Sequence, residues 1–429
     1  MPVTEDGANG GRVGILVGGG PAPGINGVIA GATREAIRNG LDVVGIFDGF
    51  RWLSRGVTEN VVPLTHDMVE AARLRGGSIL RTSRENPTRD PAMLARVVES
   101  LRALDIRYLV TIGGDDTAYS ASRTAREANG TVRVAHVPKT IDNDLPLPGD
   151  MPTFGFQTAR DVGGRLVRNL VEDARTTRRW YLVVAMGRTA GHLALGMGTF
   201  GGAAVTLIPE EFGDRSVTFG LLCDTLEGAI AKARANGQDH GVAVIAEGVG
   251  ELLKEELKEH PLVVVEDDEH GHLRLAEVPL ALIFKRILQD HAKARGKKRT
   301  FVDVTIGYEL RCADPIPFDV DYTQQLGWGA LRYLLQLGEE SWHDTGALIS
   351  LQAGEVVPIP FDNILDPRTN RTAVRRVNVT SDRYRSLRAA MTRLERADFE
   401  DAARLEEIAA AAGLSAEEFR GSYARVVGL

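Results

Sequence analysis

The chain has 429 residues, enough for two or three domains. With 43% hydrophobic and 25% charged residues it has a globular composition, which excludes a disordered chain. A formal charge of −7 excludes a general affinity for nucleic acid, so any anion site must be locally basic.

The N-terminal stretch MPVTEDGANGGR lacks the apolar core of a signal peptide and reads as a mobile tail. No apolar run is long enough to span a membrane, so a cytoplasmic protein is expected. The two cysteines, Cys223 and Cys312, have no metal-ligand neighbours at useful spacing, which argues against a disulfide framework or a zinc site. RVGILVGG then reads as a strand ending in glycines. INGVIAGATREAIRNG reads as a helix with Ile25, Val28, Ile29, Ala32, Ala36 and Ile37 near one face and Gly40 as its stop. LDVVGIF, IRYLVTIGG, VRVAHVP, RWYLVVA, AAVTLIP and GVAVIAEG follow. They are rich in Val and Ile with little alternation, as expected of parallel strands covered on both faces. Strands alternating with helices in this way indicate a doubly wound α/β architecture, in which ligands bind beyond the carboxyl ends of the strands. The glycine pairs and aspartates of this chain sit at those ends.

Glu251–Glu277 is a charged, less regular insert, and HAKARGKKR (His291–Arg299) is a basic loop that either is solvated or binds an anion. The last fifty or so residues read as helical: Tyr384, Leu387, Met391 and Leu394 repeat at three-four spacing, and Ser415 with Glu418 fits a capping box. This tail is expected to serve packing or subunit contact.

Four stretches carry chemistry. GGGPAPGIN (Gly18–Asn26) places glycines between a strand and a helix start, where backbone amides can cradle phosphate; it fits neither the dinucleotide glycine spacing nor a Walker motif. GGDDT (Gly113–Thr117) ends a strand in two carboxylates, of which Asp115 suits a magnesium ion bridging to phosphate. PKTIDNDLP (Pro138–Pro146) puts Lys139 and Thr140 before Asp142 and Asp144, which share a side if the piece is extended; a carboxylate pair beside a lysine suits proton removal next to a metal-bound phosphate. MGRTAG (Met186–Gly191) offers Arg188 at a strand end. Arg179 opens that same strand, about 20 Å away at strand rise, so it is either structural or reaches a neighbouring subunit's site. His136, inside an apolar run, reads as core. Glu247 closes a strand where sugar hydroxyls can be met. Tyr308 and Arg311 in GYELR either clamp a phosphate or form a strand-surface pair.

Taken together and in this order, these motifs resemble the 6-phosphofructokinase family over roughly Arg12–Asp321. GGDDT with PKTIDND resembles its pyrophosphate-dependent branch, since ATP-dependent bacterial relatives carry glycine at Asp116 and at Lys139; Tyr308, in place of histidine, points the same way. The resemblance implies two doubly wound, Rossmann-like lobes with the active site in the cleft, and a helical C-terminal tail. It implies a donor-binding lobe of 12–154 and about 310–360, a sugar-phosphate lobe of 155–309 and about 361–380, an extension of 381–429 and a tail of 1–11. It further implies phosphoryl transfer from pyrophosphate to fructose 6-phosphate with Mg2+, in a homodimer or homotetramer with shared sites. ATP as donor, or a non-catalytic subunit sensing sugar phosphate, are the alternatives; a lipid or NAD kinase lacks the MGR and GYELR set.

By resemblance, Gly19 and Gly20 meet the donor, Arg84 lies on the donor side and Asp116 selects the donor. Thr140, Ile141, Asp142, Met186, Gly187, Arg188, Glu247, Tyr308 and Arg311 contact the sugar phosphate, and Arg179 comes from the neighbouring subunit. Asp142, Lys139 and Arg188 are the catalytic set and Asp115 the metal ligand. Pro21 replaces the aspartate usual in the first glycine loop. The family's second intersubunit arginine has no match near Val302, which leaves Lys298 or Arg299 as candidates.

Overall fold

The glycine-ended strands RVGILVGG and IRYLVTIGG lie side by side. In the computed structural model, which describes residues 11–213, 215–263, 275–336, 346–363, 365–366 and 371–429, the strands are β1 (Arg12–Val17), β2 (Val43–Ile46), β3 (Val61–Pro63), β4 (Ile106–Gly113), β5 (Arg133–Pro138), β6 (Trp180–Ala185), β7 (Val205–Leu207), β8 (Gly241–Ala246), β9 (Phe301–Ile306), β10 (Ala347–Gln352) and β11 (Glu355–Pro360). Helices α1 (Ile25–Arg38), α2 (His66–Ala72), α3 (Pro91–Ala103), α4 (Asp115–Ala128), α5 (Phe156–Thr177), α6 (His192–Gly201) and α7 (Phe219–Ala235) lie between them. The proposed N-terminal tail up to Gly10 and residues 264–274 of the charged insert lie outside the described residues. Among the described residues no helix is long and apolar enough to cross a membrane.

The chain divides into two compact units. The first runs through Ala159 and resumes over Glu309–Arg375. Its sheet has the order β11-β10-β5-β4-β1-β2-β3, with β10, β5, β4, β1 and β2 parallel and an antiparallel strand on each edge. The chain leaves β1 towards β2 and returns to β4 on the other side of β1, so the strand order reverses between β1 and β4. That switch is where open α/β sheets bind ligands. The register pairs Val17 with Ile112 and Gly113 with Pro138, which brings Gly18, Gly114 and Lys139 to one edge.

α1 is buried along most of its length because it packs against the helix Pro317–Gln336 at backbone distance. A Cβ on Gly31 would stand 2.4 Å from Gln324 O, and one on Gly327 only 2.1 Å from Val28 O. Ile25, Val28, Ile29, Ala32 and Ala36 are fully buried as the periodicity implies, whereas Ile37, on the last turn, is exposed. The opposite face of the sheet is covered by α3 and α4 through Val97, Leu101, Ala118 and Ala121.

The second unit comprises Arg160–Tyr308 and Arg376–Leu429. Its sheet, β7-β8-β6-β9, is wholly parallel, and Ala185 pairs with both Ala246 and Ile306. Met186, Glu247 and Gly307 therefore leave one edge together. α7 and the helix Leu280–Ala294 cover one face through Leu222, Leu226, Phe284 and Leu288. The C-terminal helices Ala402–Ala412 and Ala416–Tyr423 pack Leu405, Ile408, Phe419 and Tyr423 beside Ala231 of α7. The capping box is present: Ser415 Oγ accepts from Glu418 N (3.2 Å), and Ser415 N donates to Glu418 Oε2 (2.8 Å).

The three-four spacing from Tyr384 to Leu394 does not mark one helix. Asp382–Ala389 ends first, Thr392 N bonds Ala204 O at 2.7 Å, and Leu394 fills the gap left by Gly228 of α7. Burial of Leu394 comes from this turn and not from helical periodicity.

His136 is core. Its ring spans β4, with Nδ1 2.9 Å from Thr111 Oγ1 and Nε2 3.1 Å from Gly113 O. Burial, only partly opposed by the Gly113 carbonyl bond, pushes its pKa down to about 3. The folded chain thus refuses a proton that the unfolded chain accepts below its ordinary value of 6.5, so stability from this residue is full above that pH and is lost on acidification towards 3. The midpoint of urea unfolding should fall between pH 7 and pH 5 in the parent and fall less in His136→Gln; equal falls would contradict a neutral buried imidazole.

Candidate active site

In the first unit three strand ends supply the groups. After β1, Gly18 forms a bridge with Ser83 and Gly19 N donates to Ser83 O (2.8 Å). Gly19 has φ +78, in the left-handed region that glycine tolerates, and a Cβ there would stand 3.4 Å from Lys139 Nζ. α1 starts at Gly24, whose Cβ would meet Thr323 Cγ2 at 2.6 Å, and no side chain caps its first amides.

After β4, α4 begins at Asp115, with Gly114 as an N-cap that offers no side chain. Asp115 is half-buried and Asp116 exposed, both in the first turn, where negative charge is favoured. Thr117, the third residue of the helix, fits between the two glycine loops. A Cβ on Gly18 would stand 2.4 Å from its Oγ1 and one on Gly113 would stand 2.3 Å from its Cβ.

After β5, Lys139 N donates to Gly113 O (2.7 Å) and its ammonium donates to Gly20 O. Lys139 is only 4% exposed. Arg311 belongs to the same cluster, since a Cβ on Gly20 would lie 3.4 Å from its Cζ. Arg84 is exposed beside Ser83, one residue from the Gly18–Gly19 contacts.

The segment after Lys139 is not extended. Asn143 takes φ +57, so the alternation that would set Asp142 and Asp144 against Asn143 does not hold, and all three are buried. Local bonds shape the turn: Asp142 N donates to Thr140 Oγ1 (3.0 Å), Thr153 N to Asn143 Oδ1 (3.0 Å) and Thr153 Oγ1 to Thr140 O (2.6 Å). Ile141 is buried beneath it. Arg375 clamps the turn: its guanidinium donates to Asn143 O (3.1 Å), Met151 O (2.8 Å) and Asn143 Oδ1, and its own N donates to Asp144 O (2.7 Å). Burial lowers the Arg375 pKa, partly offset by the nearby Asp150 and Asp144.

In the second unit Glu247 organises the loop after β6. Its N donates to Ala185 O (2.9 Å), and its buried Oε1 accepts Gly187 N (3.0 Å) and Arg188 N (2.6 Å). Arg188 is held at φ +51, with Gly248 permitting the approach: a Cβ there would lie 2.6 Å from Arg188 O. Met186 is buried against Gly307, whose Cβ would lie 3.0 Å from Met186 Cε. Glu210 closes the loop by accepting Gly191 N (2.9 Å) and Val377 N (3.0 Å). Tyr308 is 62% exposed and opens a single helical turn, Tyr308–Leu310, so the strand-surface reading of GYELR does not hold. Arg179 is exposed at the opposite end of β6.

The residues named from the sequence thus form two clusters, one on each unit: Gly19, Gly20, Arg84, Asp115, Asp116, Lys139, Thr140, Ile141, Asp142 and Arg311 on the first, and Met186, Gly187, Arg188, Glu247 and Tyr308 on the second, with Arg179 apart from the latter. The model of the family described as phosphofructokinase matches residues 12–334. The chain belongs to the phosphofructokinase family. A pyrophosphate–fructose 6-phosphate 1-phosphotransferase of Thermotoga maritima is 54% identical over 96% of this chain and 98% of its own length. One of Naegleria fowleri is 46% identical over 95% and 94%. A solved pyrophosphate-dependent phosphofructokinase from Marinobacter aquaeolei shares the fold at TM-score 0.63 and 17% identity, covering 88% of this chain and 91% of that one.

Sequence reading missed three residues that shape this family member's loops. Thr117 was visible inside GGDDT, but its wedge position follows from sheet register. Arg375 and Glu210 carried no signal, because Arg375 lies 232 residues from Asn143. Replacing Arg375 by Met should leave the turn without three donors and misplace Asp142. A displacement of about 1 Å at a reacting group costs up to about 10²-fold in rate. Steady-state kinetics should show kcat down by roughly that order and KM little changed; an unchanged kcat would show that the turn holds itself.

Proposed function

We propose that the chain transfers a phosphoryl group reversibly from pyrophosphate to the 1-hydroxyl of fructose 6-phosphate, giving fructose 1,6-bisphosphate and phosphate, as a cytoplasmic enzyme of glycolysis or gluconeogenesis. The observation that carries this reading is the joining of two glycine loops at the sheet's switch point, with the Lys139 ammonium on Gly20 O and the open end of α4 beside them. The two near-full-length relatives, at 54% and 46% identity, bear the name of this activity.

Phosphoryl transfer asks mainly for positioning and charge neutralisation. The first unit supplies the donor end: amides near Gly19, the cation of Lys139, and Arg84 on the exposed side. Asp142 takes the proton of the 1-hydroxyl as that oxygen attacks. Arg188 neutralises charge on the transferring group, with its backbone fixed by Glu247. Thr140, Ile141, Asp142, Met186, Gly187, Arg188, Glu247, Tyr308 and Arg311 contact the sugar phosphate. Arg179, at the far end of β6, serves a neighbouring subunit in a homodimer or homotetramer. Among the described residues no three His, Cys, Asp or Glu side chains cluster as a metal cage. The carboxylates in the first turn of α4 suit magnesium, which uses one or two carboxylates and completes its shell with water and phosphate oxygens. Asp115 would hold it. Bound there, magnesium neutralises donor charge.

Asp116 sets the donor. An exposed carboxylate in the first turn of α4 stands beside the cradle, where the α-phosphate of ATP must pass. Two like charges about 4 Å apart repel by about 4 kcal/mol at an effective dielectric of 20, and every 1.4 kcal/mol or so is tenfold in binding. Pyrophosphate escapes the clash. Fructose 1,6-bisphosphate formation should therefore be faster with pyrophosphate than with ATP in the parent. Asp116→Gly should shift the ratio of specificity constants towards ATP by tenfold or more, in line with that repulsion. A parent that prefers ATP, or a donor ratio unmoved by Asp116→Gly, would refute the donor assignment.

A further inference from the structure

The basic segment His291–Arg299 plays no part in the function above. Its first four residues form the last turn of the helix Leu280–Ala294, so it is a loop only from Arg295, and of the loop's cations Lys297 and Arg299 are half-buried while Lys298 is exposed. Arg295, Lys297 and Arg299 line a recess in the second unit with Glu227, Ala412 and Tyr423. The recess joins α7, the end of Leu280–Ala294 and the C-terminal helices. Glu227 is the carboxylate of its lining, and its charge is already used. Its Oε2 accepts Arg295 Nη1 (2.9 Å) and Tyr423 OH (2.8 Å), and its Oε1 lies 3.3 Å from His291 Nδ1. Lys297 donates to Ala412 O, at the negative end of a helix, where Gly413 leaves it room: a Cβ there would overlap the ammonium. Among the described residues, Arg299 has no carboxylate within ion-pair distance. Arg234, in the last turn of α7, adds its charge to the same group.

Helix ends account for part of this arrangement, since Lys297 neutralises one of them. They do not account for Arg299, which adds a cation to a recess already holding two. Burial, followed by repulsion from Arg234 and, less strongly, Arg295, lowers the Arg299 pKa, and burial with the charges of Arg299, Arg234 and Arg295 lowers that of Lys297. Partly buried cations brought together in excess of their carboxylates attract an anion, and guanidinium groups favour tetrahedral oxyanions through paired N–H donors.

We infer that this recess is a second anion site, which takes a phosphate dianion or the phosphate of a small monoester and fastens the C-terminal helices to α7. The inward placement of Arg299 also removes it as an arm reaching into a neighbouring subunit's sugar site. The inference concerns the second unit alone and stands whether or not pyrophosphate is the donor.

Equilibrium dialysis of the full chain with radiolabelled inorganic phosphate tests it, because catalytic sites contribute equally to parent and variant. The parent should bind one phosphate per chain more than Arg299→Gln, while turnover of the two stays within about twofold; Arg299→Lys should retain the extra site. Arg234→Gln, which removes charge and no hydrogen bond, should weaken that site several-fold and serves if Arg299→Gln does not fold. Glycerol 3-phosphate then separates the sources. Displacement of the extra phosphate assigns the site to monoesters, and its retention assigns the site to the free ion. Equal phosphate stoichiometry and affinity in parent and Arg299→Gln would overturn the inference, and so would loss of turnover together with the phosphate, which would place Arg299 in the catalytic machinery.

Discussion

Thr117 occupies a space that exists because two residues have no side chain. Gly18 follows β1 and Gly113 ends β4, and a methyl group on either would collide with the threonine. The contact locks the loop after β1 to the first turn of α4, and much else at the switch point follows from it. Gly19 can then bond Ser83, which brings the segment carrying Arg84 alongside. Lys139 can reach Gly20 O across the end of β4 while its own N stays on Gly113 O. Asp115 and Asp116 are fixed as the first residues of a helix whose amides no side chain caps. The cradle is thus a product of packing at the ends of adjacent parallel strands, and its polar chemistry is mounted on that packing.

The second unit solves a related problem with charge. Its loop after β6 turns through Arg188 at φ +51, a conformation uncommon for a long side chain. The buried carboxylate of Glu247 accepts two successive amides of that loop, and Glu210 accepts a third further along. A carboxylate that accepts backbone amides rigidifies the loop more than a neutral acceptor does. Arg375 does the converse in the first unit, where a cation gathers carbonyls of the Asp142 turn. In both units the groups proposed to touch substrate lie on short loops held by an ionic side chain from elsewhere in the chain, buried in the case of Glu247 and half-buried in that of Arg375.

The strands that carry the site were legible because they are apolar runs that end in glycine, and parallel strands buried on both faces leave that pattern. β9 and β10 escaped notice: β9 places Asp303 and Thr305 among its apolar residues, and β10 is followed by an antiparallel edge strand with exposed positions. Whether the Asp142 segment is extended or turned was not legible, because an asparagine in the left-handed region leaves no mark in composition. The run from Tyr384 to Leu394 kept a helical period across a break, since Leu394 is buried by α7 and not by its own helix. Motifs at strand ends were readable because their chemistry is local. Arg375, Glu210 and the recess around Arg299 were not, because each depends on residues far apart in sequence meeting in the fold.

The wedge at Thr117 makes a selective demand. A methyl group at position 18 would collide with Oγ1 (2.4 Å) and Cγ2 (2.9 Å) of Thr117 but stand 3.2 Å from its Cβ, whereas one at position 113 would meet that Cβ at 2.3 Å. Truncating the threonine to alanine removes the first collision and leaves the second. The most direct measurement is a pair of double-mutant cycles read in kcat/KM for pyrophosphate. Overpacking of this kind costs about 1–3 kcal/mol, and residues in contact couple by about 0.5–3 kcal/mol. Thr117→Ala should restore most of what Gly18→Ala loses, with a coupling of about 1 kcal/mol or more, and should leave Gly113→Ala impaired. Additive effects at both glycines, or equal rescue of both, would contradict the wedge as the origin of the cradle.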